Sequence, residues 1–302
     1  MHCASESTKY SPEIQERFKR GEFTQGSDHQ RDAWDEVNVR HLHHPLRAVI
    51  SVDDQNNAYI DGSQKRLVSR AVRLEPHFVV LDYECGVGRW TLWFARQVHH
   101  VVGVDISPKM VEAARQAADQ AGIHNVEHCA ITGMPLRFED GAFDLVNAIW
   151  VLRYIIDDDE LACTIKELCR VVRPGGHVTL IEMIANRERG FKEHEGEFTG
   201  AAVYRRLEQY RSLFGGCGMT MKGSAVSSAS PLYWSYVAAR NAARRRGLPD
   251  PLSLIAPSMV SASLAGECLT TRLMQFLADQ DLVRCRHRFL CFKKPEDDGI
   301  RG

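Results

Sequence analysis

The sequence predicts an α/β fold, in which a parallel β-sheet is covered by helices on both faces. Two patterns carry this prediction. Short runs rich in Val, Ile and Leu alternate with segments of helical periodicity between residues 78 and 184. The first of these runs is followed by a loop with glycines at positions 86 and 88, placed where a buried strand would pass into a helix.

The first repeat of this pattern is the most informative part of the chain. It is interpreted as a strand, a loop, a helix and a second strand, at residues 78–82, 83–88, 89–98 and 101–104. Gly86 and Gly88 would let the backbone come close to a ligand. Asp105 follows the second strand at the carboxyl edge of the sheet, where an acid can bind both hydroxyls of a ribose. A dinucleotide is not favoured, because Glu84 and Thr91 break the G-x-G-x-x-G register.

The remaining elements are assigned from the same periodicities. The core continues with strands at 125–129, 143–150 and 177–184, a helix at 159–172 and a turn at 174–176. Later elements are a helix at 202–214, strands at 219–227 and 284–292, and two helices between those strands at 232–246 and 261–279. So long a connection usually has a purpose, and a substrate lid, a partner surface and a dimer contact all stay open.

The segment before the core is harder to assign. Residues 1–30 are charged and serine-rich, and we expect a poorly ordered arm there. Residues 31–73 form a mixed segment, with an apolar stretch at 46–52 and a helix at 64–72. This segment could roof the ligand pocket.

Composition limits the classes of partner. The chain has 302 residues, 44% hydrophobic and 25% charged, enough for one large domain with additions. Lys and Arg total 38 and Asp and Glu 39, so a net charge of -1 argues against nucleic acid and anionic membranes. Nine cysteines without paired spacing indicate reduced thiols in a cytoplasmic protein. A polar start and no run of about 18 apolar residues argue against secretion and membrane spanning.

Four segments, in order along the chain, resemble a known family. They are LDYECGVGRWT at 81–91, VDISPKM at 104–110, MPL at 134–136 with FDLV at 143–146, and ELCRVVRPGG at 167–176. Through them the chain resembles the class I S-adenosylmethionine-dependent methyltransferases, and within these the methyltransferase type 11 group. The resemblance implies a Rossmann-like three-layer sandwich, with a mostly parallel seven-stranded sheet and an antiparallel last strand.

The resemblance also implies a division of the chain and a cofactor. Residues 1–73 would form an N-terminal arm and helical cap, and 74–302 a methyltransferase domain with an insertion at about 229–282. S-adenosyl-L-methionine is the expected cofactor, with Asp105 on its ribose and Asp82 near its amino end. The residues expected to bind it are Asp82, Glu84, Gly86, Gly88, Asp105, Ile106, Met110, Ile131, Thr132 and Ala148.

Two residues depart from the family pattern. Glu84 replaces the first glycine of the loop, so its side chain is expected near the methionyl part of the cofactor. Ala130 stands where the family usually has an acid that meets the adenine amine. The adenine is therefore expected to contact backbone groups of Ile131 or Thr132.

Candidates for the acceptor side lie mostly at strand ends. Arg153 and Tyr154 follow the fourth strand and could orient a substrate oxygen or acid, or cap a helix. Glu182, near the end of the fifth strand, is either a base or a buried structural carboxylate. His43 belongs to a histidine cluster before the core, which is either a solvated turn or a source of a general base.

Three further groups have simpler interpretations. The acids at 157–160 are interpreted as a helix cap, and no metal is expected. Trp90, Trp93 and Phe94 are expected to pack in the core. The remaining group is a set of arginines that would either receive an anionic substrate or face solvent: Arg205, Arg206, Arg211, Arg240 and 244–246.

The favoured function is methyl transfer to a small-molecule, lipid-like or glycan acceptor, at oxygen rather than nitrogen or carbon. Two alternatives stay open. A non-catalytic regulatory or scaffold protein that binds S-adenosylmethionine is suggested by Glu84 and Ala130, and an RNA methyltransferase by the arginine-rich insertion. Residues 147–150 read NAIW and lack the Asn/Asp-Pro-Pro-Tyr signature of base-modifying enzymes. The sequence does not determine the acceptor or the oligomeric state.

Overall fold

A computed structural model describes residues 54–185, 190–194, 200–249, 255–279 and 287–296. The helices are α1 (Asp54–Ala71), α2 (Thr91–Ala95), α3 (Pro108–Gln120), α4 (Asp158–Val171), α5 (Leu207–Gly216), α6 (Pro231–Arg245) and α7 (Ala256–Asp279). The strands are β1 (Val79–Tyr83), β2 (His100–Asp105), β3 (Val126–Ala130), β4 (Phe143–Ile149), β5 (Val172–Met183), β6 (Gly190–His194), β7 (Gly200–Tyr204), β8 (Thr220–Val226) and β9 (His287–Lys293). A 3₁₀ turn, Leu152–Tyr154, follows β4.

The main sheet has seven strands in the order β3-β2-β1-β4-β5-β9-β8. Strands β1 to β5 pair in parallel, while β9 is antiparallel to both of its neighbours, β5 and β8. This topology confirms the predicted α/β sandwich with an antiparallel last strand. Strands β6 and β7 pair with each other in a separate antiparallel ribbon.

Two apolar cores cover the two faces of the sheet. Because side chains alternate along a strand, neighbouring residues of β1 enter different cores. Leu81 packs in the core that contains α4 and α5, through residues such as Leu161 and Phe214. Val80 packs in the core that contains α1 and α2, through residues such as Phe94. As expected for the core, Trp90 and Phe94 are buried.

Several helices begin or end at residues other than those predicted from the sequence. The helix predicted at 89–98 is limited to α2, and the one predicted at 64–72 is the C-terminal part of the longer α1. The helix predicted at 202–214 is wrong at its start, because Val203 and Tyr204 belong to β7 and the helix begins at Leu207. A β-branched and an aromatic residue side by side favour a strand there. The predicted arm at 1–30 and the apolar stretch at 46–52 lie outside the described residues.

Strand β5 begins earlier than the predicted turn at 174–176 allows. Between Val172 and His177 the pairing with β4 shifts register, and Gly175 adopts a left-handed φ of 77° within this bulge. A Cβ atom at Gly176 would lie 2.8 Å from the carbonyl oxygen of Asp144. Glycine is therefore required at position 176 by the close approach of two strands, and at position 175 by the left-handed φ.

Helix α4 begins as the acidic run suggested. The side chain of Asp157 accepts hydrogen bonds from the backbone N–H groups of Asp159 and Glu160, at 2.9 and 2.8 Å. The cap satisfies two donors that the first helical turn leaves unpaired. The interpretation of this run as a helix cap is confirmed.

Helices α6 and α7 lie between β8 and β9 in sequence and pack on α1. Tyr59 of α1 stacks on Tyr233 of α6, with ring centroids 3.9 Å apart. Glu267 of α7 is buried, and its Oε1 accepts hydrogen bonds from Tyr59 Oη (3.0 Å), Ser63 Oγ (2.8 Å) and Ala229 N (2.8 Å). One buried carboxylate thus joins α1, α7 and the segment that enters α6. None of the helices in the described segments has the length and apolarity needed to cross a membrane.

Candidate active site

A cavity of about 490 Å³ opens where β1, β2 and β4 end. Its volume is within the range typical of small-molecule sites, and the carboxyl edge of a parallel sheet is their usual place. Eight of the residues predicted from the sequence line it: Glu84, Gly86, Asp105, Ile106, Met110, Thr132, Arg153 and Tyr154. Five do not: Asp82, Gly88, Ile131, Ala148 and Glu182. His43 lies outside the described residues.

Asp105 stands at one end of the cavity. Its Oδ2 accepts a hydrogen bond from Gly86 N, and its Oδ1 accepts one from Ser107 N, both at 2.8 Å. These bonds fix the carboxylate relative to the glycine loop. Each oxygen of a carboxylate can accept more than one hydrogen bond, so Asp105 retains the capacity to accept ribose hydroxyls.

Glu84 lies beside Asp105 in the glycine loop. Its φ of 56° is in the left-handed region, which a residue with a Cβ adopts at a cost of about 1–2 kcal/mol. Its Oε2 accepts a long hydrogen bond, 3.4 Å, from Ile106 N. Burial, with the nearby charge of Asp105, raises the pKa of Glu84 well above its usual value. The side chain is thus directed toward the end of β2, on the Asp105 side of the cavity.

Glu84→Gly is expected to raise the free energy of unfolding by about 1 kcal/mol, because glycine adopts this φ without a Cβ clash. Urea denaturation of both proteins measures the change. Glu84→Ala is the matched control, since it removes the carboxylate but keeps the Cβ in the left-handed conformation. A Glu84→Gly protein no more stable than Glu84→Ala would contradict the assignment of strain to the backbone.

The opposite end of the cavity is formed by the segment after β4. Trp150 has a φ of 65°, and its Nε1 donates a hydrogen bond to His287 Nδ1 at 3.1 Å. Arg153 places its guanidinium carbon 5.7 Å from the centre of the Trp150 ring and 4.7 Å from that of Tyr154. Arg153 Nη2 also donates a hydrogen bond to Tyr154 Oη at 2.8 Å. Cationic and aromatic groups therefore face the ligand together at this end.

Arg89 lies on the wall of the cavity and was not anticipated as a site residue. Its Nη1 donates to Asp61 Oδ1 at 2.8 Å and to Gln64 Oε1 at 3.1 Å. Both acceptors belong to α1, so this helix helps to shape the site. The position of Arg89 directly after Gly88 was the available sequence signal, but its partners lie more than twenty residues upstream.

Residues 80–176 match a family model described as a methyltransferase domain. Over these residues the chain is similar to a methyltransferase domain. The match covers the strands and loops that form the cavity, from β1 to the early part of β5. It confirms the resemblance that the four sequence segments indicated.

Curated relatives of this methyltransferase domain include demethylmenaquinone methyltransferases. The one from Listeria welshimeri is 31% identical over 127 residues, which are 41% of this chain and 52% of the relative. The one from Lactococcus lactis is 31% identical over 154 residues, 48% of this chain and 60% of the relative. The chain thus spans about half the length of the first of these relatives.

Solved structures share the fold of the methyltransferase domain. An S-adenosylmethionine-dependent methyltransferase from Methanosarcina mazei has a TM-score of 0.52 and 17% identity, covering 76% of this chain and 98% of that one. Phosphoethanolamine N-methyltransferase 1 from Haemonchus contortus, in complex with phosphoethanolamine and S-adenosylhomocysteine, has a TM-score of 0.56 and 14% identity, covering 94% and 52%. At these identities the likeness concerns the fold.

Asp82 of the methyltransferase domain is buried beneath the loop rather than exposed to the cavity. It accepts hydrogen bonds from Thr91 Oγ1 at 2.7 Å and Asn147 Nδ2 at 3.0 Å. Burial raises the pKa of Asp82. This carboxylate joins β1 to α2 and β4, and its contact with the amino end of the cofactor stays a prediction.

Three smaller residues of the methyltransferase domain also pack away from the cavity. Gly88 has a φ of 83°, and a Cβ there would lie 3.2 Å from the Cβ of Ala114 in α3. Ala148 is fully buried in the core, and Ile131 packs against the same core. Their predicted cofactor contacts are not supported by side-chain geometry. Of the two residues expected near adenine, only Thr132 lines the cavity.

Glu182 is fully buried, and its side chain accepts a hydrogen bond from the backbone. Its Oε1 accepts a hydrogen bond from Leu152 N at 2.7 Å, and burial raises its pKa to about 7. Glu182 does not line the cavity, which favours the alternative of a buried structural carboxylate over that of a base. Glu182 instead positions the 3₁₀ turn that carries Arg153 and Tyr154.

Arg205 was placed among solvent-facing or anion-binding arginines, and the structure corrects this. Its side chain is completely buried. It donates to the carbonyl oxygens of Leu152 (3.2 Å), Ile155 (2.7 Å) and Ile156 (3.1 Å), and to Asp158 Oδ1 (2.9 Å). Arg205 and Glu182 therefore hold the same short segment of the methyltransferase domain from two directions.

Proposed function

We propose that the protein transfers a methyl group from S-adenosyl-L-methionine to an oxygen atom of a small-molecule or lipid-like acceptor. One observation carries the proposal: a single cavity joins the fixed carboxylate of Asp105 to the donor groups of Arg153 and Tyr154. The carboxylate of Asp105 suits a ribose, and the donor groups of Arg153 and Tyr154 suit an acceptor oxygen. The match to a methyltransferase domain and the names of the curated relatives support the same reaction class.

The cavity fits the cofactor in volume and in the chemistry of its walls. Asp105 would accept the ribose hydroxyls, and the glycine loop at Gly86 would lie close to the ligand backbone. Ile106 and Met110 supply apolar contacts next to Asp105, while Thr132 and Gly133 line the neighbouring wall. When bound, the cofactor supplies an electrophilic methyl group on a sulfonium.

Methyl transfer of this kind requires an in-line approach of the acceptor and exclusion of water. The residues after β4 serve both needs. Tyr154 and Arg153 provide hydrogen-bond donors that can orient an oxygen atom. Trp150 and Ile155 provide apolar surface that displaces water from the acceptor end.

The first test is titration of S-adenosylmethionine and S-adenosylhomocysteine into the purified full chain by calorimetry, with Asp105→Ala alongside. The variant is expected to bind at least about a hundredfold more weakly, because charged hydrogen bonds contribute roughly 1.5–3 kcal/mol each. Wild-type protein that binds neither molecule, or Asp105→Ala with wild-type affinity, would overturn the proposed site.

Two controls accompany this titration. Asp140→Ala removes an acid whose side chain is 82% exposed and lies outside the cavity, and it is expected to bind normally. A melting curve of Asp105→Ala checks that lost binding is not lost folding, since Asp105 also accepts bonds from Gly86 N and Ser107 N. Binding without turnover on any acceptor would favour the non-catalytic alternative that Glu84 first suggested.

A further inference from the structure

The acceptor end of the cavity combines flat aromatic surfaces with Arg153, which forms no ion pair with a carboxylate of the described residues. We propose that the acceptor is a flat, largely apolar molecule that carries an ionised oxygen group, and that Arg153 selects it by pairing with that group. This inference rests on the proposed function and specifies the class of its substrate. It makes Arg153 a specificity-determining residue.

The hydrogen bonding of Arg153 leaves most of its donors for a ligand. A guanidinium has five N–H groups, and in the described residues Arg153 uses one of its nitrogens, Nη2, to donate to Tyr154 Oη. Within the same described segments it forms no ion pair with a carboxylate, although its charge acts on the buried Glu182 and lowers the pKa of that carboxyl. Arg89, on the wall of the same cavity, is by contrast paired with Asp61 at 2.8 Å. Of these two guanidinium groups, only Arg153 is therefore placed to neutralise an anion in a bidentate geometry.

The surfaces around Arg153 favour a flat molecule. Trp90, Trp150 and Tyr154 contribute aromatic rings to the cavity wall. The hydrogen bond from Trp150 Nε1 to His287 engages the polar edge of the indole. The guanidinium carbons of Arg89 and Arg153 lie 5.4 and 5.7 Å from the centre of the same ring. Aromatic rings pack well on flat conjugated bodies and also stabilise cations held near their faces.

The backbone that carries Arg153 is fixed before a ligand binds. Trp150 adopts a left-handed φ of 65°, a conformation that persists only where the surroundings impose it. Glu182 accepts from Leu152 N, and Arg205 donates to the carbonyl oxygens of Leu152 and Ile155. Preorganised groups bind more tightly because less freedom is lost on binding. The structure therefore presents Arg153 on a rigid support.

The sheet order separates this end from the ribose end. Strand β1 lies between β2, which ends at Asp105, and β4, which precedes Trp150 and Arg153. A ligand with its ribose at Asp105 thus leaves the groups beyond β4 for a second molecule. Glu84 and Asp105 lie together at the first end, whereas Arg153 and Tyr154 line the second, where Glu160 also reaches the wall.

The test compares acids with neutral molecules of the same shape. Two pairs of probes are titrated into the full chain by calorimetry: 2-naphthoate with 2-naphthamide, and 4-hydroxybenzoate with 4-hydroxybenzamide. At least one acid is expected to bind about tenfold or more tightly than its amide, as expected for a charge-assisted bidentate pair. In Arg153→Gln this preference is expected to disappear, while Arg153→Lys keeps part of it.

The control is the same substitution at an exposed arginine. Arg73 is 90% exposed and does not line the cavity, so Arg73→Gln is expected to keep the full preference for acids. Equal binding of acids and amides, binding of neither acid, or a preference that survives in Arg153→Gln would each overturn the inference. Titrations are run with and without S-adenosylhomocysteine, whose own binding reports separately on the proposed function.

Discussion

Glu267→Ala is expected to lower the free energy of unfolding by about 3–5 kcal/mol, the range for breaking a buried charged network by removing one partner. The substitution leaves Tyr59 Oη, Ser63 Oγ and Ala229 N without their shared acceptor. Each buried donor then loses a partner, at about 1–3 kcal/mol. Urea denaturation followed by circular dichroism measures the loss.

Two further variants make this prediction specific to the network. Glu267→Gln keeps a carbonyl oxygen for the three donors and is expected to lose less than half as much stability. Glu112→Ala removes a glutamate that is 59% exposed on α3, and is expected to change stability by no more than about 0.5 kcal/mol. If Glu267→Ala and Glu112→Ala have the same midpoint of urea denaturation, the hydrogen bonds of Glu267 do not stabilise the packing of these helices.

Arg205→Met is the second large effect that we expect. It keeps an unbranched side chain of similar length but leaves the carbonyl oxygens of Leu152, Ile155 and Ile156 without their shared donor. The expected loss is again about 3–5 kcal/mol, because these acceptors are buried and the lost bonds are charged. The neighbouring Arg206 is exposed, so Arg206→Met is the matched control and is expected to be nearly neutral.

Arg205→Met is also expected to change ligand binding. Loosening the segment that carries Arg153 is expected to weaken binding of the acid probes several-fold, because preorganisation is lost. Binding of S-adenosylhomocysteine is expected to change little, since Asp105 lies on the other side of β1. An Arg205→Met protein that loses S-adenosylhomocysteine binding while it keeps acid binding would contradict the assignment of Arg205 to the acceptor end.

The part of the fold that sequence predicts best is governed by local rules. A run of buried aliphatic residues, two glycines and an acid after the next strand place β1, its loop and Asp105 within a single repeat of about 30 residues. Residues such as Gly86 and Asp105 therefore line the cavity as expected. Their positions depend on backbone close to them in sequence.

Other features depend on partners that are distant in sequence. Arg205 sits beside Arg206 in an apparently basic segment, yet only Arg205 is buried, because its acceptors lie about 50 residues upstream in the turn after β4. The partners of Glu267 lie more than 200 residues upstream in α1. No spacing rule reports such contacts, so burial of these charges could not be predicted.

Asp82 and Glu182 show a second limit of prediction from sequence. Both lie at strand ends on the ligand edge, which is why they were predicted to act on ligands. In each case the carboxylate points into the protein and pairs with nearby donors, Thr91 and Asn147 for Asp82 and Leu152 N for Glu182. The position of a residue along a strand determines whether it lies at the ligand edge of the sheet. Whether its side chain then points toward the cavity or into the protein depends on tertiary packing, which the sequence does not reveal.

The antiparallel pairing of β8 with β9 bears on how this chain could have diverged. Val226 and Arg288 are register partners, so the helical segment between them leaves and rejoins the sheet at points roughly 5 Å apart. A short turn could therefore replace α6 and α7 without moving any strand. However, Tyr59 and Ser63 would then lose Glu267, and α1, which holds Arg89 at the cavity, would lose its support. The insertion and the N-terminal helix would have to be inherited, exchanged or deleted as one unit.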